Sequence, residues 1–170
     1  ICACPDGDLI TCDKRHLFRL SGEYELFRNG KKKIIVEIRG WKILPLVCYD
    51  LRFPVWSKNT WSDGQYGYDL LVYLANWPAI RSHVWKTLLM ARALENQVYV
   101  AGVNRFGNDG YGTWHEGDTR VVDPKGNLLY AAQEAREEIK TVTLSATDLK
   151  LFRDSFTLGM DWDRFKINTR

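Results

Sequence analysis

Three apolar runs along the chain end abruptly on polar or reactive side chains. Ile43–Val47 stops at Cys48, Asp69–Ala75 at Asn76 and Gln97–Val103 at Asn104. Short runs that are apolar at nearly every position mark strands buried on both faces. Between the second and third, Val84, Leu88, Ala91 and Glu95 recur at helical spacing without Gly or Pro, which predicts a helix from Ser82 to Asn96. Ile1–Cys4 and Leu9–Cys12 flank Pro5-Asp6-Gly7-Asp8 as a hairpin, and a polar loop follows from about Lys14 to Lys33. Ile34–Arg39 and Trp41–Val47 read as two strands about a tight turn at Gly40, and a short helix is expected to carry Trp56 and Trp61. After a loop at Asn108–Gly112, Thr119–Val122 and Leu128–Ala131 flank the turn Asp123–Asn127 as a second hairpin. Lys140–Leu144 is expected as a strand, Ala146–Asp154 as a helix, and the tail is polar and aromatic. Strands, hairpins and a crossover helix in this order predict a layered α/β (α+β) sandwich.

Composition narrows the function classes. A chain of 170 residues with 45% hydrophobic and 13% aromatic content folds as one domain around a core. A net charge of +3 gives no case for a nucleic-acid partner. The basic run Lys31-Lys32-Lys33 reads as a solvated turn beside Asn29-Gly30. No apolar stretch reaches the length of a membrane span, and no signal-peptide pattern stands out. The chain starts at Ile1 with a strand already under way, so an internal start is expected. Cysteines at 2, 4, 12 and 48 fit neither a zinc ribbon nor a secreted disulfide scaffold, which points to a reducing, cytosolic setting.

The chemistry concentrates at the strand ends. Cys48 opens the segment Cys48-Tyr49-Asp50-Leu51-Arg52-Phe53-Pro54, where a strand-to-turn junction lifts a nucleophile to the rim of a sheet. A thiol there needs a base and donors for a developing oxyanion. Lys14, directly after a strand, is the candidate cation, and the Tyr49 backbone N–H is the second donor. Asn76 and Asn104 end neighbouring strands and would line the same crevice. Each also has a plain structural reading: Cys48 in the core, Lys14 at the surface, the four tryptophans 56, 61, 77 and 85 as packing. Asp50 and Arg52 read as an ion pair bracing the turn. His16, His83 and His115 share no metal-ligand spacing, but one of them could serve a Cys–His hydrolase as base. An inactive fragment, a non-catalytic assembly subunit or a binding module also stays open.

The ordered motifs resemble the nitrilase (carbon–nitrogen hydrolase) superfamily. Asp13-Lys14-Arg15-His16-Leu17-Phe18 is similar to its lysine motif and Val47-Cys48-Tyr49-Asp50-Leu51-Arg52-Phe53-Pro54 to its cysteine motif. Ala75-Asn76-Trp77-Pro78 with Arg81 and Trp85, Ala91–Gln97, Gly102–Arg105 and Gly117-Asp118-Thr119 are similar to its later signatures. The resemblance implies a four-layer αββα sandwich in which residues 1–170 form the C-terminal major part of a single domain without its first strands and helices. It implies a Glu–Lys–Cys triad with Cys48 as nucleophile, Lys14 as oxyanion cation and the base glutamate upstream of the lysine motif. The resemblance offers Glu23 as a second family glutamate that supports the lysine or the substrate, and its other reading is a solvated loop glutamate. The resemblance is greatest to the omega-amidase branch, which hydrolyses terminal amides of short dicarboxylic acid monoamides such as 2-oxoglutaramate through a thioester. That implies a small-molecule amide substrate, no cofactor or metal, and a homodimer or larger homo-oligomer. Asn76, Trp77, Arg81 and Asn104 become pocket candidates, with Arg81 the candidate receptor for a substrate carboxylate. Tyr111 stands where the family often has asparagine and His115 where tyrosine is expected, which bears on substrate preference.

Overall fold

A computed structural model describes residues 1–133 and 136–168; the last two residues of the expected tail lie outside them. Strands β1 (Cys2–Ala3) and β2 (Leu9–Ile10) form the first hairpin, antiparallel as expected. A short helix α1 (Glu23–Leu26) then interrupts the segment expected as loop. Strands β3 (Val36–Ile38) and β4 (Trp41–Val47) pair antiparallel across Arg39 and Gly40. Both turn residues have positive φ, 49° and 80°, the twist that suits a two-residue hairpin. Next come α2 (Pro54–Ser57), the small hairpin β5 (Trp61–Ser62) and β6 (Gln65–Tyr66), β7 (Leu70–Ala75), and α3 (Ser82–Asn96). The rest is β8 (Tyr99–Asn104), the hairpin β9 (Phe106–Asn108) and β10 (Trp114–Glu116), β11 (Arg120–Val122), β12 (Leu128–Ala131), and α4 (Ala146–Ser155).

Six strands join in one mixed sheet in the order β12-β11-β8-β7-β4-β3. The three apolar runs form its centre, with β4, β7 and β8 parallel to one another. Parallel neighbours need a crossover, and α3 supplies it between β7 and β8. One sheet face presents Leu44, Leu46, Leu71, Tyr73, Val100 and Val122 to Trp85, Leu89 and Ala93 of α3. The sheet and α3 are two of the layers that an αββα sandwich stacks. The buried stripe of α3 is Trp85, Leu89, Arg92, Ala93 and Asn96, one position on from the expected stripe of Val84, Leu88, Ala91 and Glu95. Gly102 explains the close approach: a Cβ there would lie 2.4 Å from a Leu89 methyl and 2.7 Å from the Trp85 ring.

Two local expectations are corrected. Trp56 lies in α2, but Trp61 lies in β5, not in the same helix. The cause is Asn59, whose buried side chain bonds the backbone of Thr60, Tyr68 and Asn96 and so competes with helix propagation. Lys140–Leu144, expected as a strand, is irregular and joins no ladder among the described residues. No described helix is long and apolar enough to cross a membrane.

Candidate active site

Parallel pairing brings three strand ends to one edge. Val47 pairs with Leu74 and Ala75 with Asn104, so the residues that follow all leave the sheet at the same rim. Here the chain leaves β4 directly into a tight 3-10 turn, Cys48–Arg52, and Cys48 itself takes the left-handed backbone at φ 44°. A non-glycine residue held there is strained, and such residues cluster at sites where a side chain must be presented. The Cys48 thiol donates to the Asn76 carbonyl at 3.7 Å. Burial pushes the thiol up; the Asn76 backbone and the Lys14 ammonium pull it back, while Glu23 and Asp50 push it further up. The Tyr49 N–H sits in the first turn of the 3-10 segment, where a helix has no acceptor of its own to offer.

Lys14 enters the same cleft from the segment after β2. Both Glu23 oxygens accept from its Nζ, at 2.8 and 2.6 Å, and Glu23 also accepts from the Phe18 N–H at 2.9 Å. The short helix α1 thus carries the carboxylate that holds the ammonium. The cleft, about 1260 Å³, is lined by Lys14, Glu23, Cys48, Tyr49, Arg52, Asn76, Trp77 and Arg81. Asp109, Tyr111, Thr113 and His115 line it from the β9–β10 hairpin.

Several expected roles change. Asp50 does not pair with Arg52. Its buried carboxylate accepts from the Val47 N–H at 3.1 Å, the His16 N–H at 2.8 Å and the His16 ring at 2.9 Å. Arg52 instead lies over the Trp77 ring, 5.1 Å from its centroid. Asn104 is not a pocket residue: Trp77 N–H donates to its Oδ1 at 2.7 Å and its Nδ2 donates to the Trp77 carbonyl at 3.0 Å. A side-chain amide matches a peptide group on both edges, so Asn104 clamps the Trp77 backbone. Trp77 forms a cleft wall, with its ring N–H donating to the Arg81 carbonyl at 2.8 Å. Arg81 points its guanidinium over Phe18, 5.7 Å from the ring centroid.

No histidine ring bonds to Cys48. The His16 ring is stacked on Phe53 at 3.7 Å and bonded to Asp50. His83 is exposed on α3, and the His115 ring meets the carbonyls of Gly107 and Thr113. Among the described residues no group of His, Cys, Asp or Glu could hold a metal ion. The contributions of Asp109 and Thr113 are not readable from the sequence. The only signal is a glycine-bearing turn between aromatic residues at 106 and 114. The arrangement can present a sulfur nucleophile beside an ammonium and a free N–H, the elements of acyl transfer.

The chain is 48% identical over 163 residues to the omega-amidase YafV of Escherichia coli (strain K12), covering 96% of this chain and 62% of that protein. It is 38% identical over 125 residues to the 2-oxoglutaramate amidase of Bacillus subtilis (strain 168), covering 74% of this chain and 46% of that protein. It superposes with a TM-score of 0.94 and 43% identity on XC1258 from Xanthomonas campestris, a CN-hydrolase superfamily protein with an arsenic adduct in its active site. That match covers 96% of this chain and 63% of the other, so the chain spans less than two thirds of the relatives it matches. The carbon-nitrogen hydrolase family model matches residues 5–154, and the chain belongs to that family.

Proposed function

We propose that this chain carries the nucleophile and oxyanion site of a thiol-dependent amidase that hydrolyses the terminal amide of a small carboxylic acid monoamide. The observation that carries the reading is a cysteine on a left-handed turn opening into the same cleft as a Glu23-bound Lys14 ammonium. The Cys48 sulfur attacks the amide carbonyl as its proton passes to the base, the glutamate that the family carries ahead of its lysine motif. Lys14 and the Tyr49 N–H stabilise the oxyanion, the C–N bond breaks, and ammonia leaves with a proton from the same base. Water then cleaves the thioester, returning the thiol and a carboxylic acid. The same reading carries a homo-oligomer in a reducing, cytosolic setting, which suits four cysteines that are all free.

The test is intact-mass detection of the intermediate in the intact natural protein. Mixing with 2-oxoglutaramate should give a transient Cys48 acyl adduct with release of ammonia. Ammonia release with no adduct under rapid quench, or adduct formation abolished by His→Ala at 16, 83 or 115 in a folded protein, overturns it. The substrate class has its own prediction. Arg81 lines the cleft with no carboxylate partner among the described residues, as suits a free carboxylate on the substrate. Arg81→Gln should raise KM about tenfold for a monoamide bearing a distal carboxylate, the loss of one charge-assisted bond. It should leave KM unchanged for a neutral amide of the same length.

A further inference from the structure

We propose that Asp50 is a positioning residue that sets Lys14 against Cys48, acting through two peptide groups and not on the substrate. The two catalytic side chains come from segments more than thirty positions apart, so something must fix their separation. The Asp50 carboxylate is 1% exposed and both of its oxygens are engaged. One oxygen takes the N–H of Val47, the residue before the nucleophile. The other takes the N–H of His16, two residues past Lys14, and the His16 ring as well. Among the described residues the two His16–Asp50 bonds are the hydrogen bonds that join 13–18 to 46–53; Cys12 Sγ donates to the Pro45 carbonyl at 3.2 Å further from the site, and His16 on Phe53 and Phe18 on Tyr49 add ring packing. Ring packing is tolerant of sliding, whereas charge-assisted bonds to backbone N–H groups are short and directional. A buried carboxylate that loses its hydrogen-bond partners carries a large desolvation cost, so the link also resists being pulled apart.

This role rests on the reading of Cys48 and Lys14 given above and is separable from it by sign. The charged groups facing Cys48 are Lys14, Glu23 and Asp50, and the Asp50 charge by itself disfavours the thiolate. A purely electrostatic Asp50 therefore slows thiolate chemistry, and neutralising it speeds alkylation. A positioning Asp50 does the opposite, because releasing the Lys14 segment removes the cation.

The experiment follows iodoacetamide alkylation of Cys48, located by peptide mass, in the intact natural protein at neutral pH. Lys14→Ala should slow alkylation about tenfold, the effect of raising a thiol by about one unit. Asp50→Asn should slow it by a similar factor in the native background. In the Lys14→Ala background the same Asp50→Asn change should leave the rate unchanged or raise it. Faster alkylation in Asp50→Asn alone, or slowing that multiplies with Lys14→Ala, overturns the positioning role. No change in Lys14→Ala would overturn the underlying reading of Lys14 instead. If Asp50→Asn does not fold, His16→Phe keeps the stack on Phe53 and removes one of the linking bonds. It should slow alkylation about threefold, by loosening but not breaking the strut; an unchanged rate counts against it.

Discussion

Cys48→Ala is expected to remove turnover, a fall on the order of 10⁴-fold or more in kcat, measured as ammonia release from 2-oxoglutaramate. The size follows from the chemistry. Without sulfur no covalent intermediate forms, and the remaining site can only bind and polarise the amide. The fold should survive the change. Alanine keeps the left-handed backbone that cysteine already tolerates at φ 44°, so no new strain enters the turn. The turn is held by Asp50 and by the Phe53 N–H bonded to the Asp50 carbonyl, neither of which uses the thiol. A melting temperature within a few degrees of the native protein should therefore accompany complete loss of activity. Cys48→Gly is expected to melt no lower than Cys48→Ala, because glycine relieves the positive φ. Lys14→Ala keeps the nucleophile but loses one oxyanion donor, about 3 kcal/mol in the barrier. Its deficit should thus be smaller than that of Cys48→Ala. A turnover deficit of only about tenfold, matching the slowing of alkylation, would show that the cation acts by making the thiolate and not by holding the oxyanion.

Trp85→Ala is expected to carry the largest cost in stability, about 3–5 kcal/mol by denaturant titration with an unchanged slope. The ring is fully buried between α3 and the sheet and packs beside Trp77 at 5.5 Å. Its N–H donates to the Asp118 carbonyl at 2.9 Å, and that acceptor would keep only the longer bond from Arg120 Nε at 3.4 Å. Domains of this size are stable by only about 5–15 kcal/mol, so the variant approaches the unfolding threshold. Trp85→Phe refills most of the volume and should recover more than half of the loss. The damage should reach the site, because Trp77 is the cleft wall that Trp85 supports from behind. A Trp85→Ala protein with native stability would mean that the helix–sheet contact around Gly102 is not where the core is held.

Most of the sheet is legible in one dimension, because its central strands are apolar along their length; the expectation of burial on both faces is corrected, since among the described residues only the α3 face is fully covered and Leu74 and Val103 on the other are 53% and 44% exposed. Ile43–Val47, Asp69–Ala75 and Gln97–Val103 read as strands from their apolar runs, and the helix between the last two follows from its periodicity and freedom from Gly and Pro. The face of that helix was less legible. Val84 and Leu88 are as apolar as Leu89, and what decides between stripes is the absence of a side chain at Gly102, on another element. Trp61 escaped its expected helix for a similar reason: the partners of Asn59 are Tyr68 and Asn96, distant in sequence. At the site, Cys48 and Lys14 are visible as residue types at strand ends. Asn104, a plausible pocket residue by position, is used up on the Trp77 backbone, which no local pattern signals.

The order of residues by itself determined the strands, the crossover helix, the family motifs and the identity of the thiol and ammonium, since each depends on side-chain type and short-range spacing. Tertiary structure alone decided which groups those charges meet: Lys14 with Glu23, Asp50 with Val47 and His16, Arg52 with Trp77. Hydrogen bonds and ion pairs act over a few ångströms, and only the folded chain brings segments dozens of residues apart within that distance.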